Sequence, residues 1–238
     1  MRNNRVDARR TARQSSRSQV KPSEVWAALA ATCLILAGIG AYLLWNSQQK
    51  PPPKVDLMVA VDTSGSVDLA GRKHLFGVFD DTVDQVLPAQ TSISMWAYDV
   101  NAHKFAQRSD WRKSRDLWPL EDEVMKQHTN APGTYPSVAL EKIVADAQIA
   151  ALAKRNCAVM MLTDGEDASP PNTDRCIGEL AALPNVKAVW IEGVRSDNGF
   201  RSELERRFKP VLGDKLVITG DHDAQDGMNR FHDLIDKK

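Results

Sequence analysis

Apolar positions along this chain fall into runs of different period, and each run predicts an element. Residues 55–61 (Val55-Asp56-Leu57-Met58-Val59-Ala60-Val61) and 157–163 (Cys157 and Thr163 around Ala158, Val159, Met160, Met161 and Leu162) are almost wholly apolar. Unbroken runs of this length are expected of parallel strands covered by helices on both faces. Residues 91–98 alternate instead, with Ile93, Met95 and Ala97 on one side, which predicts another strand. A short return strand is expected over 103–106, and both are placed at the edge of a sheet. A helical period appears over 68–87, with apolar residues at 69, 76, 79, 83, 86 and 87, and over 137–154 at Val138, Ile143, Ala147 and Leu152. Beyond it the pattern predicts a helix over 174–183, a strand over 186–191, a helix over 199–208 and a strand over 215–218. A last helix over 224–237 carries Met228, Phe231, Leu234 and Ile235 on one stripe. Residues 110–132 follow no period and receive no element, and Trp111 and Trp118 are read there as anchors of a loop to the core. The alternation predicts an α/β domain over 55–238, a doubly wound, mostly parallel central sheet flanked by helices.

One run exceeds what a soluble strand or helix needs. Residues 25–45 contain no charge, and a helix of that length crosses about 30 Å of hydrocarbon. Trp26 and Trp45, helped by Tyr42, mark its two interfaces. Seven Arg or Lys against two acids precede it, within a chain of 31 basic and 31 acidic residues. The basic arm over 1–24 is therefore expected to stay cytoplasmic and to send the carboxyl-terminal domain across. No small-x-small site follows Trp45, so the run reads as an uncleaved anchor, one transmembrane helix ahead of the domain. Residues 46–54 end in Pro51-Pro52-Pro53-Lys54, a stiff spacer. The expected location is a single-pass membrane protein with its domain outside the cytoplasm, and the short arm with one small domain suggests the periplasmic side of a bacterial inner membrane. What remains after the arm is mildly acidic, which gives no reason to expect nucleic acid as a partner.

The chemistry is concentrated where the first apolar run ends. Asp62-Thr63-Ser64-Gly65-Ser66 places one carboxylate and two hydroxyls at every second position, so an extended backbone turns all three to one side, with Gly65 easing the bend. In an open α/β sheet, ligands bind at the carboxyl ends of strands where the strand order reverses. Oxygen ligands without thiolate or imidazole suit Mg²⁺, Mn²⁺ or Ca²⁺. Alone the string is also what a helix cap contains. Two later segments add to it: Gly133-Thr134 before a helix, and Thr163-Asp164-Gly165 after the second apolar strand.

With these three segments the sequence resembles the von Willebrand factor type A domain family from Val55 to the end of the chain. The resemblance implies a metal-ion-dependent adhesion site in which Ser64, Ser66 and Thr134 supply hydroxyl ligands while Asp62 and Asp164 act directly or through water. It implies Mg²⁺, with Mn²⁺ or Ca²⁺ as alternatives, and a protein partner whose exposed Asp or Glu completes the coordination. Some integrin-type members carry two further acids after the first motif for a second metal site. Here Asp68 is followed by Leu69, so that second site is not expected.

Two other functional classes compete. A metal-dependent hydrolase at the same sheet edge would use Glu166 or Asp167 as general base, but no clamp for a leaving group is evident in the three loops. Thr63-Ser64-Gly65 is not a Gly-x-Ser-x-Gly elbow, and the five histidines are scattered. The reading is therefore a binding module rather than an enzyme; a metal-free scaffold is the third alternative. Cys157 and Cys176 are expected at opposite ends of the sheet, too far apart for a disulfide, both reduced and at least partly buried.

Overall fold

The computed structural model describes residues 55–88, 91–105, 107–127, 133–195, 199–220 and 222–236. The expected arm, membrane span and proline-rich spacer over 1–54 lie outside them, and no helix among the described residues is long and apolar enough to cross a membrane.

Strand β1 (Val55–Asp62) is buried at every position, as its unbroken apolar run requires. It stands in the middle of a six-stranded sheet of order β3-β2-β1-β4-β5-β6, with β2 (Ser92–Tyr98), β3 (Ala102–Lys104), β4 (Asn156–Leu162), β5 (Val186–Glu192) and β6 (Leu216–Ile218). All pairings are parallel except β2 with β3. The strand over 91–98 was expected at an edge; it lies inside, between β1 and the return strand β3, which makes the edge itself.

Successive β1 residues alternate between two cores. Leu57, Val59 and Val61 face a layer built from α1 (Leu69–Gln85), α2 (Trp118–Met125) and α6 (Ala224–Asp236), represented by Phe76, Phe79, Leu120, Phe231 and Ile235. Met58 and Ala60 face α3 (Pro136–Leu152), α4 (Pro170–Ala182) and α5 (Phe200–Leu212) through Leu140, Ile143, Ile177, Leu204 and Phe208. The stripe of Met228, Phe231, Leu234 and Ile235 is buried in full.

Several boundaries differ from the periodic reading for identifiable reasons. Helix α4 begins four residues earlier, because Pro170 and Pro171 occupy the first turn, where no N–H donor is needed. Helix α5 runs on past Pro210, with buried Leu212 holding its last turn to the sheet. The unassigned stretch forms a short 3₁₀ turn over Ser114–Asp116 and then α2. Trp111 is a core anchor, buried and donating from Nε1 to the Thr91 carbonyl at 2.7 Å. Trp118 is not; it is 54% exposed and donates to Asp80 Oδ2 at 3.0 Å. Cys157 and Cys176 are buried free thiols, one near the Asn185 amide and the other near the Ser137 carbonyl.

Candidate metal centre

Strand β1 is flanked by β2 on one side and β4 on the other, so the chain reverses its order of placement there. The loops after β1 and β4 leave neighbouring strands at the same level, since Val61 pairs with Leu162. That is the switch point at which α/β sheets bind ligands.

Asp62 ends β1 fully buried. Its Oδ1 accepts the Ser64 backbone N–H at 2.9 Å, a local turn of the kind Asp readily closes. The turn, rather than continued extended backbone, brings the hydroxyls together: Ser64 Oγ lies 3.0 Å from Ser66 Oγ. Gly65 is not required for the bend, because it does not have a positive φ and a Cβ there would meet nothing within 4 Å. Thr134 arrives from the turn before α3 and donates from Oγ1 to Ser64 Oγ at 2.9 Å. Its loop is pinned on both sides, with the Tyr135 N–H on the Asp99 carbonyl at 3.0 Å and the Ala168 N–H on the Thr134 carbonyl at 2.7 Å.

The other Asp62 oxygen is held from β4. Thr163 Oγ1 donates to Oδ2 at 2.9 Å while accepting the Gly165 N–H at 3.1 Å. Gly165 has φ +95°, and a Cβ there would come within 3.0 Å of Phe200 Cβ and 3.1 Å of Val194, so the loop closes only around glycine. Asp164 follows, half-buried, with Oδ1 accepting the Glu166 N–H at 3.1 Å. Asp164 and Ser66 line one open cleft of about 280 Å³. Of the five residues expected to form the site, Asp62, Ser64, Ser66 and Thr134 thus join one hydrogen-bonded chain, and Asp164 stands beside them on the adjoining loop.

Burial pushes the Asp62 carboxyl up to about 6; hydrogen bonds from Ser64 and Thr163 act against the rise, and the Asp164 charge adds to it. A bound cation would relieve the Asp164 contribution to that rise. Arg72 interacts with Asp62 through its charge. It is 2% exposed, yet its Nε and Nη1 are buried without a hydrogen-bond partner. The donor set, oxygens without thiolate or imidazole, fits a hard divalent ion, and the hydroxyls lie close enough together, at 2.9 and 3.0 Å through their mutual hydrogen bonds, to share one. Among the described residues no group of three or more His, Cys, Asp or Glu is placed to hold a metal, here or elsewhere; the donors gathered at this site are mainly hydroxyls.

Three features of the site were missed by the sequence reading. Thr163 was noted as part of a motif but not as the donor that orients Asp62. Asp167, considered as a general base, is already engaged: Oδ1 accepts from the Ser169 N–H and Thr173 Oγ1, and Oδ2 pairs with Arg207 Nη2 at 2.8 Å, both side chains being nearly buried. The start of α1, just after the first motif, is capped by Asp68, which accepts the Gly71 N–H at 2.7 Å.

No family model matches the sequence, and no curated protein does. Solved structures do. The manganese-loaded TRAP protein of Plasmodium vivax is 17% identical with a TM-score of 0.58, over 77% of this chain and 74% of that one. The von Willebrand factor type A structure from Catenulispora acidiphila is 17% identical with a TM-score of 0.54, over 78% of this chain and 42% of that one. Proximal thread matrix protein 1 of the mussel byssus, with a zinc-occupied metal-ion-dependent adhesion motif, is 18% identical with a TM-score of 0.53, over 77% of this chain and 46% of that one. The chain therefore spans less than half the length of the last two. At this identity the likeness establishes the fold, that of von Willebrand factor type A domains.

Proposed function

We propose that residues 55–238 form a protein-binding module in which Asp62, Ser64, Ser66, Thr134 and Asp164 hold a divalent cation, Mg²⁺ or Mn²⁺, whose open position is filled by an Asp or Glu carboxylate of the partner. The observation that carries this reading is the hydroxyl chain with its two converging carboxylates at the sheet's switch point. Zinc and manganese at this fold's metal site in the mussel and Plasmodium proteins support a divalent ion here. Five oxygen donors, two of them charged, neutralise a dication and leave room for one more anionic ligand.

A binding role suits the surroundings better than hydrolysis. The Asp167 carboxylate is committed to Arg207 and to the α4 start, which removes one of the two candidate bases. Leu69 (53% exposed) and Val100 (38% exposed) stand at the carboxyl-end edge of the sheet, after β1 and β2, and give a partner apolar contact around the polar centre. We further propose that residues 25–45 anchor the module in a membrane with the arm over 1–24 in the cytoplasm and the module outside, at the periplasmic face if the membrane is a bacterial inner one. Membrane extraction and protease accessibility of the intact chain check that topology.

The test of the binding role is capture of a partner by the full chain in Mg²⁺ and in EDTA, wild type beside Asp62→Ala. The expected result is a protein retained by wild type in Mg²⁺ alone. A partner held equally in EDTA or by the variant would overturn the reading.

A further inference from the structure

A second cleft, lined by no residue of the metal loops, lies on β6, the terminal strand of the sheet. Its volume is about 550 Å³ and its floor includes Leu216 and Ile218. Helix α5 packs on one face of the sheet through Leu204 and Phe208, and α6 on the other through Met228 and Phe231, so the two helices flank this strand from opposite faces. Four cations line the cleft, Arg201, Arg206, Lys209 and Arg230, against one acid, Glu205, within a domain that is mildly acidic. Two of the four are engaged. Arg201 pairs with Asp223 at 2.7 Å and donates from Nη2 to the Ile218 carbonyl at 3.1 Å. Lys209 donates to the Gly213 carbonyl at 3.0 Å and lies 3.7 Å from Asp214. Arg206 on α5 and Arg230 on α6 are exposed and make no hydrogen bond or ion pair among the described residues.

We propose that this cleft is a second binding surface, which takes an acidic segment of a protein partner and holds its carboxylates between Arg206 and Arg230. It needs no metal. Each arginine offers a planar fork that takes a carboxylate through two parallel hydrogen bonds, and the two forks reach the cleft from opposite faces of the sheet. A volume of about 550 Å³ falls within the roughly 300–1,000 Å³ of ligand sites and exceeds what a single small anion fills. Arg201 closes the Ile218 carbonyl to an added strand, so recognition falls to side chains rather than to strand pairing. No aromatic side chain lines the cleft among the described residues, which leaves the bases of a nucleic acid nothing to stack on. A peptide also brings N–H donors, which suit the Glu205 carboxylate as a phosphate chain does not.

The experiment incubates the full chain in EDTA with a glutamate-rich peptide that carries a photo-crosslinking group, with its glutamine-rich counterpart and with a crosslinking single-stranded oligonucleotide, and maps the adducts by mass spectrometry. Mapping separates the cleft from the arm over 1–24, whose seven Arg or Lys against two acids also attract anions. The glutamate peptide should mark α5 and α6 at lower concentration than the other two probes. Arg206→Gln and Arg230→Gln should each raise its half-maximal concentration about fivefold, the upper end for an exposed ion pair, and together about 25-fold, since they stand on separate helices. Adducts on the arm should stay constant, and Arg206→Lys with Arg230→Lys should recover part of the loss. Equal marking of α5 and α6 by the glutamine peptide, a double variant marked like wild type, or adducts confined to the arm overturns the inference. An oligonucleotide that outcompetes the peptide at α5 and α6 overturns it too, in favour of a nucleic-acid surface. All of these results leave the metal reading standing, because no metal is present.

Discussion

Thr163→Val isolates the contribution of one hydroxyl to the candidate centre. The side chain is nearly isosteric, so packing is preserved while the donor to Asp62 Oδ2 disappears. Both residues are at most 2% exposed, and water cannot replace the lost bond. A hydrogen bond to a charged, buried acceptor contributes about 1.5–3 kcal/mol, so the metal-free variant should be destabilised by that amount. Domains of this kind have about 5–15 kcal/mol of stability, so the variant stays folded and its site can be measured. Thr163 also fixes the direction of Asp62, and groups that orient a ligand in this way typically contribute 10- to 100-fold to metal affinity. Urea unfolding in EDTA reads the first effect, and Mn²⁺ binding followed by electron paramagnetic resonance reads the second. Thr163→Ser keeps the hydroxyl and should recover most of both. The reasoning is refuted if Thr163→Val unfolds at the wild-type midpoint and holds Mn²⁺ with unchanged affinity.

Three further substitutions test other parts of the structure. Arg207→Met leaves Asp167, 5% exposed, without its cation; a loss of about 3–5 kcal/mol is expected in urea unfolding, largely recovered by adding Asp167→Asn. Gly193→Ala forces a Cβ against Leu75 and to 2.9 Å from the Thr163 carbonyl at φ +94°, and should lower stability by about 2–4 kcal/mol; an unchanged thermal midpoint would contradict the geometry. The Glu121 carboxyl is pushed up to about 9 by burial first and by Asp80 second. A raised carboxyl favours the fold most below its unfolded value and loses that contribution as pH climbs through the folded one. Glu121→Gln should therefore flatten the fall in stability between about pH 5 and 9 and exceed wild type by about 2 kcal/mol near pH 8, a figure reduced for partial solvent screening. Parallel pH profiles for the two proteins would refute this.

Elements made from contiguous pattern were legible in the sequence. β1 and β4 announced themselves as apolar runs; Asp62, Ser64, Ser66 and Asp164 were singled out because they follow those runs, and Thr134 because Gly133-Thr134 precedes a helix. What was not legible depends on neighbours distant in the chain. Arg207 is 40 residues from the Asp167 it neutralises, and nothing local distinguishes it from Arg206 beside it. The place of β2 inside the sheet follows from the return of β3, three residues with little apolar signal. Helix α2 was obscured because three of its eight residues are consecutive acids set between its apolar ones; it packs through Leu120 and Val124, with Met125 partly buried beside them.

The bonds that define the centre join residues 70 and 101 positions apart, from Thr134 to Ser64 and from Thr163 to Asp62. No fragment of the chain contains it. A nascent or partly folded molecule has the serines, the threonines and the aspartates but lacks their convergence until the central sheet has closed. A ligand that binds only the closed sheet stabilises it by mass action, so occupancy and folding reinforce one another. Under the binding role proposed above, the site would act as its own inspector of completed folding, and a partner would sample only finished copies.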